Sequence, residues 1–415
     1  MAPRWSMSHG EGRGRSVFFN RLWIGGAALA LMIGMAAGEA ALALLALLVL
    51  ITAGLAWSWN RYALAGVVYT RDLSAIRAFP GDEVTLTIGV RNWKPLPLPG
   101  LAIDDEIAEA LAPLDRETTI GAGPGRRIMH FATSIRPFER VSWRVPLRCE
   151  RRGLHALGPV ILRSGDPFGF FTSRLTVTDE AAVLVYPRIH PIADLGFPTR
   201  QPFGETRVSR HLLTDPARVV GARDYRPDDP FRSIHWKATA RQMRLQVRVH
   251  EPTTTLQLGV FVNLDTFEHY WEGLDVNLSE WAIEVGASVT AWAVGQRYAT
   301  GVYANGIVAG SDQALRIPPS RGPSQLPHVL EGLAKLTPYS TLNFPRLLKI
   351  EAGHFPWGST AVIVTGMMPD ALTAHLAAML AAGLRVVLIP LADCPAPALR
   401  GLVVRRIDTP MELAS

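Results

Sequence analysis

Cysteine and charge are both scarce in this chain of 415 residues. The two cysteines, Cys149 and Cys394, lie far apart and no Cys-x-x-Cys occurs. That excludes a disulfide framework and a cysteine zinc cluster. Charged residues make up 19% and hydrophobic ones 48%, a balance that leans toward a membrane protein without reaching that of a polytopic one. Catalytic signatures are missing too. There is no phosphate-binding Gly-x-x-x-x-Gly-Lys run, no His-Glu-x-x-His, no Gly-x-Ser-x-Gly and no cysteine with a local histidine signature, so nothing in the sequence warrants an enzyme. The net charge of +6 comes mostly from arginine, and no RNA- or DNA-binding motif accompanies it. Nucleic acid is therefore not expected as a partner, and arginines beside a membrane segment account for the excess.

What is present begins with two apolar runs, Leu22 to Ala37 and Ala40 to Trp59, broken by Gly38-Glu39. Together they exceed one span of roughly 20 residues. They predict a basic tail over residues 1–16 and a two-helix transmembrane hairpin over 17–59, with helices at about 19–37 and 40–59. The first run is short, and Val17 to Phe19 would extend it. Glu39 would be costly at mid-bilayer and fits the turn. Gly25, Gly26, Gly34 and several alanines would let the helices approach closely. Arg4, Arg13, Arg15 and Arg21 precede the runs, Arg61, Arg71 and Arg77 follow them, and the turn has no lysine or arginine. The positive-inside rule then places both termini in the cytoplasm, on an inner-membrane protein. Trp23 on one flank and Trp57, Trp59 and Tyr62 on the other fit interfacial belts at one membrane face. Two alternatives stay open: a signal peptide, against which the second apolar run argues, and a soluble part outside the cytoplasm.

From residue 60 to 190 short alternating strands are expected at Glu83–Asn92, Leu101–Ile103, Arg127–Ser134, Ser142–Arg148, Val160–Arg163 and Ala182–Tyr186, with Gly or Pro turns between them. This pattern predicts an immunoglobulin-like β-sandwich. Residues 187–220 are proline-rich and irregular, and 191–250 is read as a linker with a distinctive block. Over 251–415 strands and helices alternate: strands at Thr255–Asp265, Tyr298–Tyr303, Ala361–Thr365 and Leu384–Pro390, helices at Ser279–Val294, Ser324–Leu336 and Asp370–Ala382. That predicts an α/β doubly wound domain. Ligand sites in such folds lie at the carboxyl ends of the strands, here Asn263, Asp265, Thr266 and Thr365 to Met368.

The block at 221–250 interleaves Arg223, Asp224, Arg226, Asp228, Asp229, Arg232, His235, Lys237, Arg241, Arg244 and Arg248 with Tyr225, Phe231, Trp236 and Met243. Asp229-Pro230 has the form of a helix start and predicts a helix from Pro230 to about Gln242, followed by a strand over Leu245–His250. Arginines and aspartates so mixed are expected to form an ion-pair network that holds modules in register. The competing readings are a protein-docking face and a site for a small anion. His235 has no visible nucleophile or acid beside it and is read as a packed, hydrogen-bonded histidine.

Several stretches together resemble the bacterial domain of unknown function 58 family. They are Arg151-Arg152-Gly153 with Leu157-Gly158-Pro159, Asp166 to Phe171, Val185 to Arg188, and Gly221 to Arg241 with its Ile234-His235-Trp236. The resemblance covers roughly residues 60 to 400. It implies an amino-terminal membrane hairpin, a von Willebrand factor A-like domain at the carboxyl end, and a MoxR-type AAA ATPase, often encoded alongside, as partner. It supplies no reaction, because none is established for the family. The chain departs from the pattern at Pro227-Asp228-Asp229, where the family has Pro-Gly-Asp. It departs again at Asp265-Thr266-Phe267-Glu268-His269, which lacks both serines of the Asp-x-Ser-x-Ser metal motif. Mg²⁺ wants hard oxygen ligands in an octahedron, and only Asp265, Thr266 and Thr365 remain as a degenerate set. The expectation is a membrane-anchored, non-enzymatic adaptor or scaffold without a cofactor. The alternative is a metal-dependent binding protein or hydrolase using Asp265 with Asp224, Asp228 or Asp229.

Overall fold

The computed structural model describes residues 15–16, 21–178, 181–193, 214–226, 231, 234–252, 257–268, 270–340 and 342–407. The chain divides into two compact units, Met1–Arg188 and Ile189–Ser415.

The first unit opens with helices Arg21–Ala37 and Ala40–Ala63. Gly38 turns the chain between them at φ 75°. The helices touch where a Cβ on Gly34 would lie 2.8 Å from the Ala43 nitrogen, so only glycine allows this approach. Ala40–Ala63 is long and apolar enough to cross a membrane, whereas the apolar stretch Trp23–Ala37 falls short. Seventeen residues rise only about 26 Å against a hydrocarbon core of about 30 Å. The two helices were thus foreseen, but one alone among the described residues has spanning length, and the Val17–Phe19 extension lies outside those residues. The end of the long helix is tied to the strands that follow it. The Ser173 hydroxyl bonds the Asn60 carbonyl at 3.1 Å and its side chain at 3.0 Å. The Lys94 ammonium donates to the carbonyls of Ala63 and, at 2.8 Å, Ala65, occupying acceptors that a helix end leaves open.

Beyond the helices this unit is built of sheets. A four-stranded sheet runs in the order Val67–Leu73, Glu83–Asn92, Arg140–Cys149, Leu111–Pro113. A six-stranded sheet runs Arg15–Ser16, Phe171–Val177, Val160–Gly165, Leu98–Ala108, Arg126–Ile135, Thr118–Ile120. A small third sheet joins Gly153–Ala156, Ala182–Val185 and Arg77–Ala78. Alternation within the strands sends Leu86, Ile88, Val145 and Leu147 of the first sheet and Ile103, Ile107 and Leu162 of the second into one core. Inside that core is an ion pair. Arg71, from the four-stranded sheet, meets Asp105, from the six-stranded one, and both side chains are almost fully buried. The Tyr69 hydroxyl donates to Asp105 at 2.6 Å and accepts from Arg71 Nε at 3.1 Å. Burial and the Asp105 charge push the Tyr69 phenol far above its ordinary pKa, so it stays a donor at any physiological pH.

The second unit begins with strand Thr214–Asp224 paired antiparallel to Gln246–Pro252, with helix Trp236–Gln242 between them. The region read as linker therefore contains a β-hairpin. A pairing between segments more than twenty residues apart leaves little trace in local periodicity. The expected helix start at Asp229-Pro230 lies outside the described residues; Phe231 sits in a 3-10 turn, its carbonyl accepting the Ile234 N–H at 3.2 Å, and the α-helix proper begins at Trp236. Ile234 bridges to Val247 and the His235 N–H bonds the Gln246 carbonyl at 2.8 Å, which ties the residues just before this helix to the second strand. His235 is the N-cap, its Nδ1 accepting the Ala238 N–H at 3.2 Å. Asp228, Asp229, Pro230 and Arg232 lie outside the described residues.

The main sheet of this unit has the order Ala314–Ser320, Ala299–Val308, Gln257–Val262, Thr360–Thr365, Arg385–Pro390, Val403–Val404, and Leu336–Ser340 pairs with Ala299–Val308 off this path. Gln257–Val262 pairs parallel with both neighbours. The helices are Val276–Gly295, Gln325–Ala334, Phe344–Ala352 and Asp370–Ala381. Phe261, Ile363 and Leu388 of the sheet pack with Phe344, Leu347, Leu372 and Leu376 of the helices. The burial that parallel strands demand on both faces explains their unbroken apolar runs.

Candidate functional site

The carboxyl ends of Gln257–Val262 and Thr360–Thr365 converge on a buried amide network. Asn263 donates from Nδ2 to Thr365 Oγ1 at 3.0 Å and accepts the Asp265 N–H at 3.0 Å. Asn305, from the neighbouring strand, accepts the Leu264 N–H at 2.9 Å and donates toward Asn263 Oδ1 at 3.3 Å. Each group is buried and answered, as low-dielectric surroundings require.

The three residues read as a degenerate metal set are all engaged within the fold. The Thr365 hydroxyl donates to the Met367 carbonyl at 2.6 Å while accepting from Asn263. Thr266 Oγ1 accepts the Asp275 N–H at 3.0 Å, and Asp275 in turn caps helix Val276–Gly295 through the Leu278 N–H at 3.1 Å. Asp265 is half-buried. Burial raises its carboxyl pKa, and hydrogen bonding from the Ser340 side chain, the Phe344 backbone and the Asn305 side chain acts the other way. A divalent cation would need these oxygens free, plus further acids. No group of three or more His, Cys, Asp or Glu side chains among the described residues could hold one. The donor set does not fit Mg²⁺: it is one carboxylate and two hydroxyls already committed to internal partners. Asn305, Ser340 and Phe344 were not foreseen. A lone asparagine inside the apolar strand Ala299–Val308 was the available signal.

The block at 223–245 forms a second, separate constellation. Gln246 is buried beneath it. Its Nε2 donates to Asp224, and its backbone N–H bonds Thr239 Oγ1 at 3.0 Å. The Arg223 guanidinium donates to the Asp224 carbonyl at 3.0 Å. Tyr225 and Phe231 place their rings 5.8 Å apart. Trp236, Lys237 and Arg241 are exposed, as is Arg226. Lys237, Arg241 and Arg244 have no carboxylate within ion-pair distance among the described residues. Much of the expected ion-pair network falls on residues outside those described, among them Asp228, Asp229 and Arg232. Among the described residues, backbone pairing and the amide of Gln246 tie hairpin and helix together, and Lys237 and Arg241 are exposed.

This hairpin, its helix and the α/β sheet together form the segment that matches a known family. Residues 221–403 match the sequence model of the family described as "Protein of unknown function DUF58". The chain is a DUF58 family member over this segment. A curated relative, Uncharacterized protein YeaD of Bacillus subtilis strain 168, is 24% identical over 218 residues, 52% of this chain. The match covers 53% of that relative, about half its length. Among solved structures, the sporulation control protein Spo0M of Bacillus subtilis is 15% identical over 29% of this chain and 49% of its own, with a TM-score of 0.18. The cohesin module of a Clostridium perfringens family 33 glycoside hydrolase is 11% identical over 29% of this chain and 96% of its own, with a TM-score of 0.20. Likenesses this low carry no argument. The DUF58 segment starts in strand Thr214–Asp224 and ends in Val403–Val404, so hairpin, helix and sheet all fall inside it.

Proposed function

We propose that this DUF58 protein is a membrane-anchored, non-enzymatic adaptor that works through the surfaces of its carboxyl-terminal unit. In this reading the two amino-terminal helices form a hairpin anchor with both termini in the cytoplasm, the β unit is an immunoglobulin-like spacer, and the α/β unit is von Willebrand factor A-like. The partner implied by the family resemblance is a MoxR-type AAA ATPase, in assembly or maturation of protein complexes. The observation that carries the reading is the state of the strand ends. Where an α/β fold keeps its ligand chemistry, Asp265, Thr266 and Thr365 are spent on holding loops and helix starts together. Large apolar and basic side chains of the block at 223–245 are meanwhile left in solvent, as a docking surface needs.

Two measurements test it. The full chain in detergent, mixed with a MoxR-type AAA ATPase of the same organism, is expected to co-elute as a complex and to change ATP turnover. No complex, together with turnover unaffected by deletion of this chain in cells, would sink the adaptor reading. A reporter fused at the carboxyl terminus is expected to read cytoplasmic, and a periplasmic signal would move the partner to the cell envelope.

A further inference from the structure

Two surfaces of the Ile189–Ser415 unit leave large apolar side chains in water and carry opposite charge. On the first, Phe231, Trp236 and Met243 are 74%, 66% and 88% exposed. Lys237 and Arg241, four residues apart on helix Trp236–Gln242, share one helix face beside the face of Trp236 and Ala240. Arg244 follows directly, and no carboxylate pairs with these three among the described residues. The acid that lies close, Asp224, is taken by the Gln246 amide.

The second surface is the rim around the carboxyl ends of the parallel strands. Trp271 and Tyr339 are each 68% exposed there, with Phe267 also in solvent. Glu268, Asp275 and Asp370 are exposed beside them, and the rim's described basic residues include Arg346 and, just past strand Val403–Val404, Arg405 and Arg406. Internal bonds make the rim continuous. Ser340 reaches Asp265, which brings the Tyr339 turn to the Phe267 loop. Thr266 holds Asp275, and Gly366 lies against Leu278 in the same helix turn, where a Cβ would come within 2.6 Å of it.

We propose that the basic, aromatic face of one copy docks on the acidic, aromatic rim of another. Charge complementarity within one chain selects the second copy as occupant. Arg241 and Arg244 bring planar forks suited to the rim carboxylates, and aromatic side chains on both sides supply desolvated contact area. The basic face is already rigid, because the Ile234–Val247 bridge and the Gln246–Thr239 bond fix the helix on its hairpin, so docking orders few additional groups. The two faces are different surfaces. The contact is therefore heterologous and propagates into a row or ring instead of closing as a two-fold dimer. This inference concerns copy-to-copy assembly and stands or falls independently of any ATPase.

The test uses the full chain in detergent, followed by sedimentation velocity across a concentration series. Species larger than one copy are expected to grow with concentration and to recede as salt rises, because the steering charges are screened. The double variants K237E/R241E and E268K/D370K are each expected to weaken self-association about tenfold or more. An equimolar mixture of the two is expected to restore it, since the reversed face of each then meets a complementary one. A merely misfolded variant would not be rescued by mixing. A single-copy wild type at every concentration, or a mixture that stays dissociated, overturns the proposal. So does loss of binding to phosphatidylserine vesicles in K237E/R241E with no effect of E268K/D370K on association, which would make the basic face a membrane surface.

Discussion

In the Met1–Arg188 unit a guanidinium lies between two sheets with its charge answered by Asp105 and Tyr69; in the Ile189–Ser415 unit Lys237, Arg241 and Arg244 stand in water with no acid beside them among the described residues. The local sequences point the other way. Val67 to Leu73 reads as an ordinary run with one arginine, while the block at 221–250 looks built for ion pairs. Strand parity explains why Arg71 is paired while the helix cations are exposed. In Val67–Leu73 the alternation that buries Val67 also buries Arg71, and a buried charge survives only with a partner, which the facing sheet supplies. Helix Trp236–Gln242 buries none of its residues, so its charges meet water and need no counter-ion.

The comparison is broken most severely by removing the buried partner. Asp105→Ala is expected to cost about 3–5 kcal/mol in urea unfolding, because it strands Arg71 in the core, while Arg71→Met with Asp105→Leu recovers most of that loss. A cost below about 1 kcal/mol for the single variant would mean the pair is solvated. Gly158→Ala probes the same cluster from another side. Gly158 sits at φ +90°, where a Cβ would lie 2.9 Å from Arg71 Nη1, and thermal unfolding is expected to register a loss of about 1–3 kcal/mol.

In the other unit the effects shrink. Asp265→Ala is expected to destabilise by about 1 kcal/mol, since Asn305 and the Phe344 N–H lose an acceptor, and Asp265→Asn by less. Burial holds the Asp265 carboxyl above the ordinary aspartate value of 3.8 in the fold. The folded state thus binds that proton more tightly, and the carboxylate's contribution declines as pH rises from 3.8 through the folded value. The Asn variant should therefore gain on wild type across that window, and a gap that widens with rising pH would contradict the assignment. Smallest of all, Lys237→Ala and Arg241→Ala are each expected to stay within about 0.5 kcal/mol of wild type. A larger loss in denaturant titration would reveal a buried ionic role.

Much of the α/β unit was legible because its signals are local. Asp370–Ala381 and Arg385–Pro390 fall within a residue of the expected Asp370–Ala382 and Leu384–Pro390, since a helix ended by Gly383 and an apolar strand announce themselves. Helix Phe344–Ala352 and strands Ala314–Ser320 and Leu336–Ser340 went unread. The two strands carry prolines and edge positions, and the helix is too short for its periodicity to stand out. In the β unit, strand Phe171–Val177 alternates polar and apolar residues weakly and owes its place to pairing with Val160–Gly165. At the candidate site, Asp265 and Thr365 were legible as strand-end residues. Asn305 and Ser340 were not, because they reach Asp265 only through the folding of distant segments.

The sequence by itself determined the apolar amino-terminal helices, the alternating strands, the buried parallel-strand runs and the family segment, because each depends on residues adjacent in the chain. Tertiary structure alone decided which charges are buried and which stand in water, and whether Asp265 is free to bind or already engaged. Those outcomes turn on which segments meet across a sheet or at its edge. Desolvation and hydrogen-bond satisfaction are properties of that meeting, not of any stretch of sequence.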